Sequence, residues 1–540
     1  MGIVIVDGQE IEVADHERLN GIQVAARAGI EVPHYCWHPG LSVVASCRMC
    51  LVETGQRNAE TGEVSMLPKL VPACQTPARD GTVFVTKSEK IDHARAFVEE
   101  CLLIDHPIDC PICDKAGECY LQDYHFKYGQ DQRRADVRPF TSRRRDLGPT
   151  VTLFVDRCVM CSRCVRFARE VAGTGELMVS QRGAHEEIDV VPGFPLENKL
   201  SGNVVDLCPV GALGDKDFLY EQRVWFMKSQ PGVCTGCATG CSIRVDENQD
   251  RIYRLRPREN PHVNHWWMCD EGRWGFHHVH SERRQIGAER RAEAGYQSLE
   301  WHEVVSELQA RLPATGRLAA VVSPHLTVEE AFLLATWIRS CDEQALLVQG
   351  PVPVIGDDEQ FAKGFTIRAE KCPNRRGVEE VLRHFAGEVL SFDEFLAVAA
   401  ERGIRGAWIS GGYKTDWIDR DQAAALAALD LVVVQDLFDS PLWRQATYRL
   451  PGAAFAEREG SYVNHADRLQ WATWAIRPPA GVRVEGSLYW TLLGRPGLYQ
   501  PRRVLDEVAA TIDYFAAAAE PVGPLGVDLR ATRPADVAMA

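Results

Sequence analysis

The sequence predicts a multidomain protein, α+β in its cysteine-rich first half and α/β in its second. Three observations lead there. The chain has 540 residues, and at roughly 100–200 residues per domain that means three to five domains. Of its 18 cysteines, sixteen lie before residue 270, in short clusters. From about residue 290 apolar runs alternate with helical stretches: RLAAVVS (317–323), ALLVQG (345–350), GAWISGG (406–412) and LDLVVVQD (429–436). That alternation is the signature of a largely parallel sheet with helical crossovers.

The elements follow in order. IVIVDGQEIEV (3–13) alternates about an Asp-Gly pair and reads as a hairpin. NGIQVAARAG (20–29) reads as a short amphipathic helix stopped by glycine. Cys36, Cys47, Cys50 and Cys74 then follow as C-x10-C-x2-C-x23-C, in outline the plant-type [2Fe–2S] pattern, with Gly40, Ser42 and Ser46 suited to a loop whose N–H groups face sulfur. The insert ETGQRNAETGEVSMLPKL (53–70) has the polar, glycine-containing character of a surface hairpin. Residues 88–104 read as a helix with Ala94, Phe97, Val98 and Cys101–Leu103 at helical intervals, and 120–129 as a short helix or turn. Between them HPIDCPICDKAGEC presents Cys110, Cys113 and Cys119, with His106 and Cys101 both near enough in sequence to be the fourth ligand.

CVMCSRC supplies Cys158, Cys161 and Cys164, and the distant Cys208-Pro209 completes a set of four. CTGCATGC with WMCDEGRWGF gives Cys234, Cys237, Cys241 and Cys269, spaced C-x2-C-x3-C-x27-C. Each of these sets suits a [4Fe–4S] cluster. Tetrahedral thiolate sites hold either zinc or iron–sulfur, but zinc sites bring two short pairs, whereas triplets with one remote cysteine are an iron–sulfur habit. Several such sets in one chain make residues 30–270 an electron conduit.

Composition excludes other classes. A net charge of −15 argues against a general nucleic-acid role. The basic run RRADVRPFTSRRR (133–145) reads as a solvated loop touching a neighbouring domain or subunit. No segment approaches the roughly 18 apolar residues of a membrane span, and the N-terminus lacks signal-peptide character. GTGE (173–176) and GPVPVIGDDE (350–359) lack the ordered glycines of a dinucleotide site. Residues 516–540, rich in alanine and proline, read as a loosely packed tail, and Cys372 as part of a surface turn.

HPIDCPICDKAGECYLQDY, CVMCSRC with CPVGAL, and CTGCATGC with WMCDEGR closely resemble the 75 kDa-type iron–sulfur subunits of respiratory complex I, the G subunits of NADH-quinone oxidoreductases. The resemblance runs from residue 1 to about 285 and continues weakly through EREGSYVNHADRLQ (457–470). It implies five parts: a β-grasp [2Fe–2S] ferredoxin domain (1–86), a helical His(Cys)3 [4Fe–4S] domain (87–126), a [4Fe–4S] ferredoxin-like domain (127–228), a [4Fe–4S] domain of the Mo/W bis-MGD type (229–286) and a truncated molybdopterin-oxidoreductase-like α/β domain (287–540). It implies that His106 joins Cys110, Cys113 and Cys119 as ligand, leaving Cys101 as an apolar helix position. Two features depart from the family: the 23 residues between Cys50 and Cys74 are longer than its pattern, and the set ending at Cys269 occurs only in some bacterial members.

The cofactors implied are one [2Fe–2S] and up to three [4Fe–4S] clusters, with no molybdopterin and with FMN and NADH on a partner subunit. Electrons would pass from that flavin subunit toward quinone. The implied partners are the flavin/NADH-binding subunit, a thioredoxin-like [2Fe–2S] subunit, and ferredoxin-like and quinone-site subunits of the peripheral arm. The chain would sit on the cytoplasmic side of the inner membrane, meet the membrane only through partners, and have no complete active site of its own. The rival readings are the large subunit of an NAD-linked molybdenum formate dehydrogenase, an NAD-linked hydrogenase, and a zinc-stapled scaffold. Cys341 and Cys372 are too isolated to hold a further catalytic cluster.

Overall fold

The computed structural model describes residues 2–531 apart from Arg133, Ala184 and Ala400. The chain divides into two compact units, one of residues 1–227 with 361–363 and one of 228–360 with 364–540.

The first unit opens with the hairpin Gly2–Val6 and Gln9–Val13, turned by Asp7 and Gly8, both at positive φ (47° and 84°). Two successive left-handed residues match the turn to the strands' twist, which is why Asp-Gly serves there. Gly2–Val6 pairs in parallel with Thr82–Val85, which pairs antiparallel with Leu51–Arg57. The helix Gly21–Arg27 is held by a capping box between Asn20 and Gln23. Its Ile22, Val24 and Ala25 join Val4, Val6, Val52 and Phe84 in one core, into which Cys50 and Cys74 are also built. A mixed sheet crossed by one helix is thus the first fold. The 53–70 insert forms the expected hairpin, Val64–Met66 pairing with Gly55–Arg57 in solvent.

The helix Glu89–Leu103 starts at the Ser88 cap, and Tyr120–Tyr128 packs near it. Its inward face differs from the apolar reading: Ile91, Arg95, Ala96 and Glu99 are buried, while Phe97 and Cys101 are exposed. The buried polar groups have partners that sequence spacing cannot show. Arg95 lies over the Tyr128 ring, 5.0 Å from its centroid, and Glu99 accepts from the Tyr35 hydroxyl. Residues 144–215 add two small antiparallel sheets, Arg144–Asp146 with Val151–Phe154 and Leu213–Asp215, and Leu177–Ser180 with Glu187–Val190. In the basic run, Arg134 pairs with Glu100, and Arg143 and Arg145 pair with Asp156, Glu187 and Asp189, all within this unit.

The second unit begins with a three-stranded meander, Lys228–Val233, Ser242–Asn248 and Arg251–Pro257. Its centre is a seven-stranded sheet. The five strands Tyr448–Pro451, Leu431–Asp436, Gly406–Ser410, Leu318–Val322 and Leu346–Gln349 run parallel in that spatial order, extended by the antiparallel hairpin Glu289–Ala292 and Gly295–Ser298. Strand periodicity divides the core in two. Leu318, Ala320 and Val322 enter one cluster, and Ala319 and Val321 the other. Sheets buried on both faces read as continuous apolar runs, which is what LAAVV and LVVV are. Two expectations are corrected. Cys372 is fully buried rather than in a surface turn. Residues 516–531 are packed, not loose: Ala518 and Leu529 are buried and Val527–Asp528 pairs with Arg468–Leu469, while 532–540 lie outside the described residues. Among the described residues no helix is long and apolar enough to cross a membrane.

Candidate iron–sulfur centres

The first cysteine set is drawn together. Cys36, Cys50 and Cys74 are buried and Cys47 half-buried. The Cys36 sulfur lies within hydrogen-bond reach of Cys47 and Cys74, and Cys50 of Cys74. Hydrogen bonds from the Cys47 and Cys74 thiols, against burial but aided by the backbone N–H groups of Cys47 and Ser46, pull the Cys36 thiol far below its ordinary range. Its neighbours Cys47 and Cys74 are pushed up in return. The loop holds Ala45 and Arg48 at φ 53° and 60°. Non-glycine residues in the left-handed region are costly and persist where the surroundings over-determine them, as at ligand-binding loops.

The second set is looser. His106, Cys110 and Cys119 line one cavity of about 580 Å³, which Cys101 does not line. Cys113 is close enough to both Cys110 and Cys119 for their charges to interact. Its sulfur packs at Gly211, where an added Cβ would collide with it. Burial, then the Arg157 charge, lowers the His106 pKa; a neutral imidazole is the form that ligates metal. Burial pushes the Cys119 thiol up to about 11 against hydrogen bonds from the Gln122 and Leu121 N–H groups.

In the third set Cys161, Cys164 and Cys208 are buried, Cys158 is half-buried, and all four line one small cavity with Leu153, Ile188 and Val210. Met160 and Ser162, between the ligand positions, have φ of 46° and 56°, and the Met160 N–H donates to the Cys158 sulfur at 3.4 Å. Burial and the neighbouring Cys208 push Cys161 up to about 11. Burial also drives Cys158 and Cys164 upward.

In the fourth set all four cysteines are buried, and Cys241 interacts electrostatically with the other three. Cys269 caps the single turn Asp270–Trp274, accepting from Gly272 N–H at 3.3 Å. A Cβ at Gly272 would stand 3.0 Å from the Cys234 sulfur and 3.4 Å from that of Cys269. Glycine there lets the backbone approach the sulfurs.

The donor chemistry fits iron–sulfur clusters. Most of these thiols are buried and bunched, and burial with mutual repulsion raises several of them. Such sites suit a cationic occupant that stabilises thiolates, and backbone N–H groups already face the sulfurs. Among the described residues no three of His, Cys, Asp or Glu converge on a single metal-ion position.

Two residues that the motifs did not single out tie the ligand loops together. The buried Arg166 donates to the carbonyls of Cys36 and Ser42 and, at 3.2 Å, of Cys161. Arg163 reaches the Trp37 carbonyl at 2.6 Å and the Leu207 carbonyl at 3.2 Å. The Tyr120 N–H, next to Cys119, donates to the Pro209 carbonyl, next to Cys208, at 2.9 Å. Their signal was present in CSRCVRF: two arginines three apart, flanking the last cysteine on a one-turn helix.

Family models match the chain in the same order. A 2Fe-2S iron-sulfur cluster binding domain covers 3–89, the NADH-ubiquinone oxidoreductase-G iron-sulfur binding region 95–134, and the ferredoxin-like domain of NADH-quinone oxidoreductase subunit 3 148–214. The molybdopterin oxidoreductase Fe4S4 domain covers 227–281 and the molybdopterin oxidoreductase model 387–489. The NADH-quinone oxidoreductase G subunit of Rickettsia felis is 33% identical over 336 residues, 62% of this chain and 48% of that protein. The chain is homologous to the G-type and 75 kDa proteins. The NADH-ubiquinone oxidoreductase 75 kDa subunit of Reclinomonas americana is 34% identical over 66% of this chain and 50% of its own length. The mitochondrial 78 kDa subunit of Candida albicans is 31% identical over 77% and 56%. The chain thus spans about half the length of these relatives. A chain of a NAD+-reducing [NiFe]-hydrogenase structure is 26% identical, with a TM-score of 0.33, over 41% of this chain and 91% of that one.

Proposed function

We propose that the chain is an iron–sulfur electron-carrying subunit of an NADH-quinone oxidoreductase of the complex I type. Cys36, Cys47, Cys50 and Cys74 would hold a [2Fe–2S] cluster. His106 with Cys110, Cys113 and Cys119, then Cys158, Cys161, Cys164 and Cys208, then Cys234, Cys237, Cys241 and Cys269, would each hold a [4Fe–4S] cluster. Such clusters, when bound, supply one-electron transfer. The observation that carries the reading is the stitching of the first three ligand loops: one guanidinium, Arg166, bonds both the Cys36 and the Cys161 carbonyls, and one hydrogen bond joins Tyr120 to Pro209. Zinc staples would not require adjacent sites, whereas a relay does.

The chain's own residues fix the sulfurs, bury most of them, and turn N–H groups toward them. His106 contributes one negative charge fewer than a thiolate, a lever on potential. NADH and FMN belong in this reading to a partner flavin subunit, with a thioredoxin-like [2Fe–2S] subunit and ferredoxin-like and quinone-site subunits completing the arm. The chain would be peripheral, on the cytoplasmic side of the inner membrane, with translocation left to partners and no molybdopterin in the α/β domain. The test is reduction by NADH. The anaerobically purified chain alone is expected to leave NADH unoxidised and to bleach when the flavin subunit is added. NADH oxidation by the chain alone, or no bleaching with the partner, contradicts the reading.

A further inference from the structure

We propose that Lys414 sets the reduction potential of the fourth cluster. The inference rests on reading Cys234, Cys237, Cys241 and Cys269 as its ligands. Lys414 lies in the loop after the strand Gly406–Ser410, far from those cysteines in sequence. Its Nζ stands 3.2 Å from where a Cβ on Gly275 would be, and the Cys234 sulfur stands 3.0 Å from where one on Gly272 would be. Residues three apart on a helical turn are about 5–6 Å apart, so the ammonium and the sulfur are within roughly 12 Å of each other. The ammonium thus stands on the side of the site that carries the Cys234 sulfur.

Several other polar groups near this place are engaged elsewhere. Lys371 is paired with Glu271 at 2.7 Å. His278 and His325, pushed down to about 3 chiefly by burial, are neutral. The buried Arg273 donates to the Leu255 carbonyl. Asp436 is committed to the N–H groups of Gly412 and Leu437 and to the Trp417 indole, and Asp439 to Arg444. Asp416 lines the same cavity as Lys414, but no ion pair joins Lys414 to any described residue. One-electron reduction adds one negative charge to a cluster. An uncompensated ammonium nearby favours that form, and the low dielectric of a buried site strengthens the effect. No proton moves in this step. Lys414 is therefore a positioning charge, supplied by the α/β domain to a site whose ligands lie outside it.

The experiment is a dithionite redox titration of the loaded full-length chain followed by EPR, with Cys269→Ser marking which signal belongs to this site. Lys414→Met is expected to lower that signal's midpoint potential, and Lys414→Arg to restore it, with iron, sulfide and the other signals unchanged. An unchanged midpoint in Lys414→Met overturns the proposal. Should that variant not accumulate, Glu271→Gln is the second measurement. Freeing Lys371 from its counter-ion is expected to raise the same potential, and no rise overturns the electrostatic account. If Cys269→Ser leaves iron content and every signal intact, the ligand reading itself fails, and the Lys414 proposal with it.

Discussion

The two halves of this chain are stabilised by different means. In residues 287–531 a seven-stranded sheet is buried on both faces, with large side chains such as Trp408, Tyr489 and Phe515 fully enclosed. Residues 30–227 have mostly short strands and helices and cysteine loops with left-handed residues, and beside aliphatic and aromatic side chains they bury Cys36, Cys50, Cys161 and Cys164 and the arginines Arg95, Arg157, Arg163 and Arg166. In the proposed reading the first region leans on what its cysteines hold as well as on its own smaller core, whereas the second relies on its core alone. Burying several thiolates together is unfavourable unless a cation answers them.

That contrast can be broken most severely by removing metal. Iron chelation under reducing conditions is expected to abolish hydrogen-exchange protection in 30–227 while the parallel strands of the α/β domain keep theirs; equal loss in both halves would erase the distinction. Next in size, Cys208→Ser should remove one cluster, about four irons, seen by iron analysis, and leave the α/β domain's unfolding unchanged. Leu334→Ala, at a fully buried position in the larger core cluster, should cost about 2–5 kcal/mol in denaturant unfolding of the second half with iron content preserved. Arg166→Met leaves the carbonyls of Cys36, Ser42 and Cys161 without their guanidinium. At about 1–3 kcal/mol for each of the two buried carbonyls, Cys36 and Cys161, left unsatisfied, the first half should bleach at lower temperature.

The smallest expected effect is a pH slope. Burial raises Glu329 to about 7 although Ser461 donates to it from both its N–H and its hydroxyl. Because the folded protein holds this proton more tightly than the unfolded chain, the stabilisation is full below the ordinary carboxyl range and is lost as pH rises through about 7. Glu329→Gln should flatten that decline in urea midpoints measured between those limits, and an unaltered slope would assign it elsewhere.

The elements legible in the sequence were those whose cause is local. The Asp-Gly turn at 7–8, the short helix before Gly29, the 53–70 hairpin and the continuous apolar strands each carry their own chemistry. The grouping of Cys158, Cys161 and Cys164 was equally legible, because it is a matter of short spacing, and the fold brings Cys208 to the same small cavity. Features that depend on distant partners were not. Arg95 and Glu99 face inward only because Tyr128 and Tyr35 receive them. Cys372 is buried because its loop is packed within the second unit, which AEKCPNRRG does not reveal. Residues 516–531 look like a tail by composition, yet Leu529 and Val527 find a sheet built about sixty residues earlier. The bridging role of Arg166 likewise needs the fold, since its acceptors lie 124 and 130 residues away as well as five.

The most direct test of the central claim is metal and acid-labile sulfide analysis of the anaerobically purified full chain. Four occupied sets, one binuclear and three cubane, predict about 14 iron and about 14 sulfide per chain, without zinc or molybdenum. About four zinc and no sulfide would make the cysteine loops structural staples and contradict the relay.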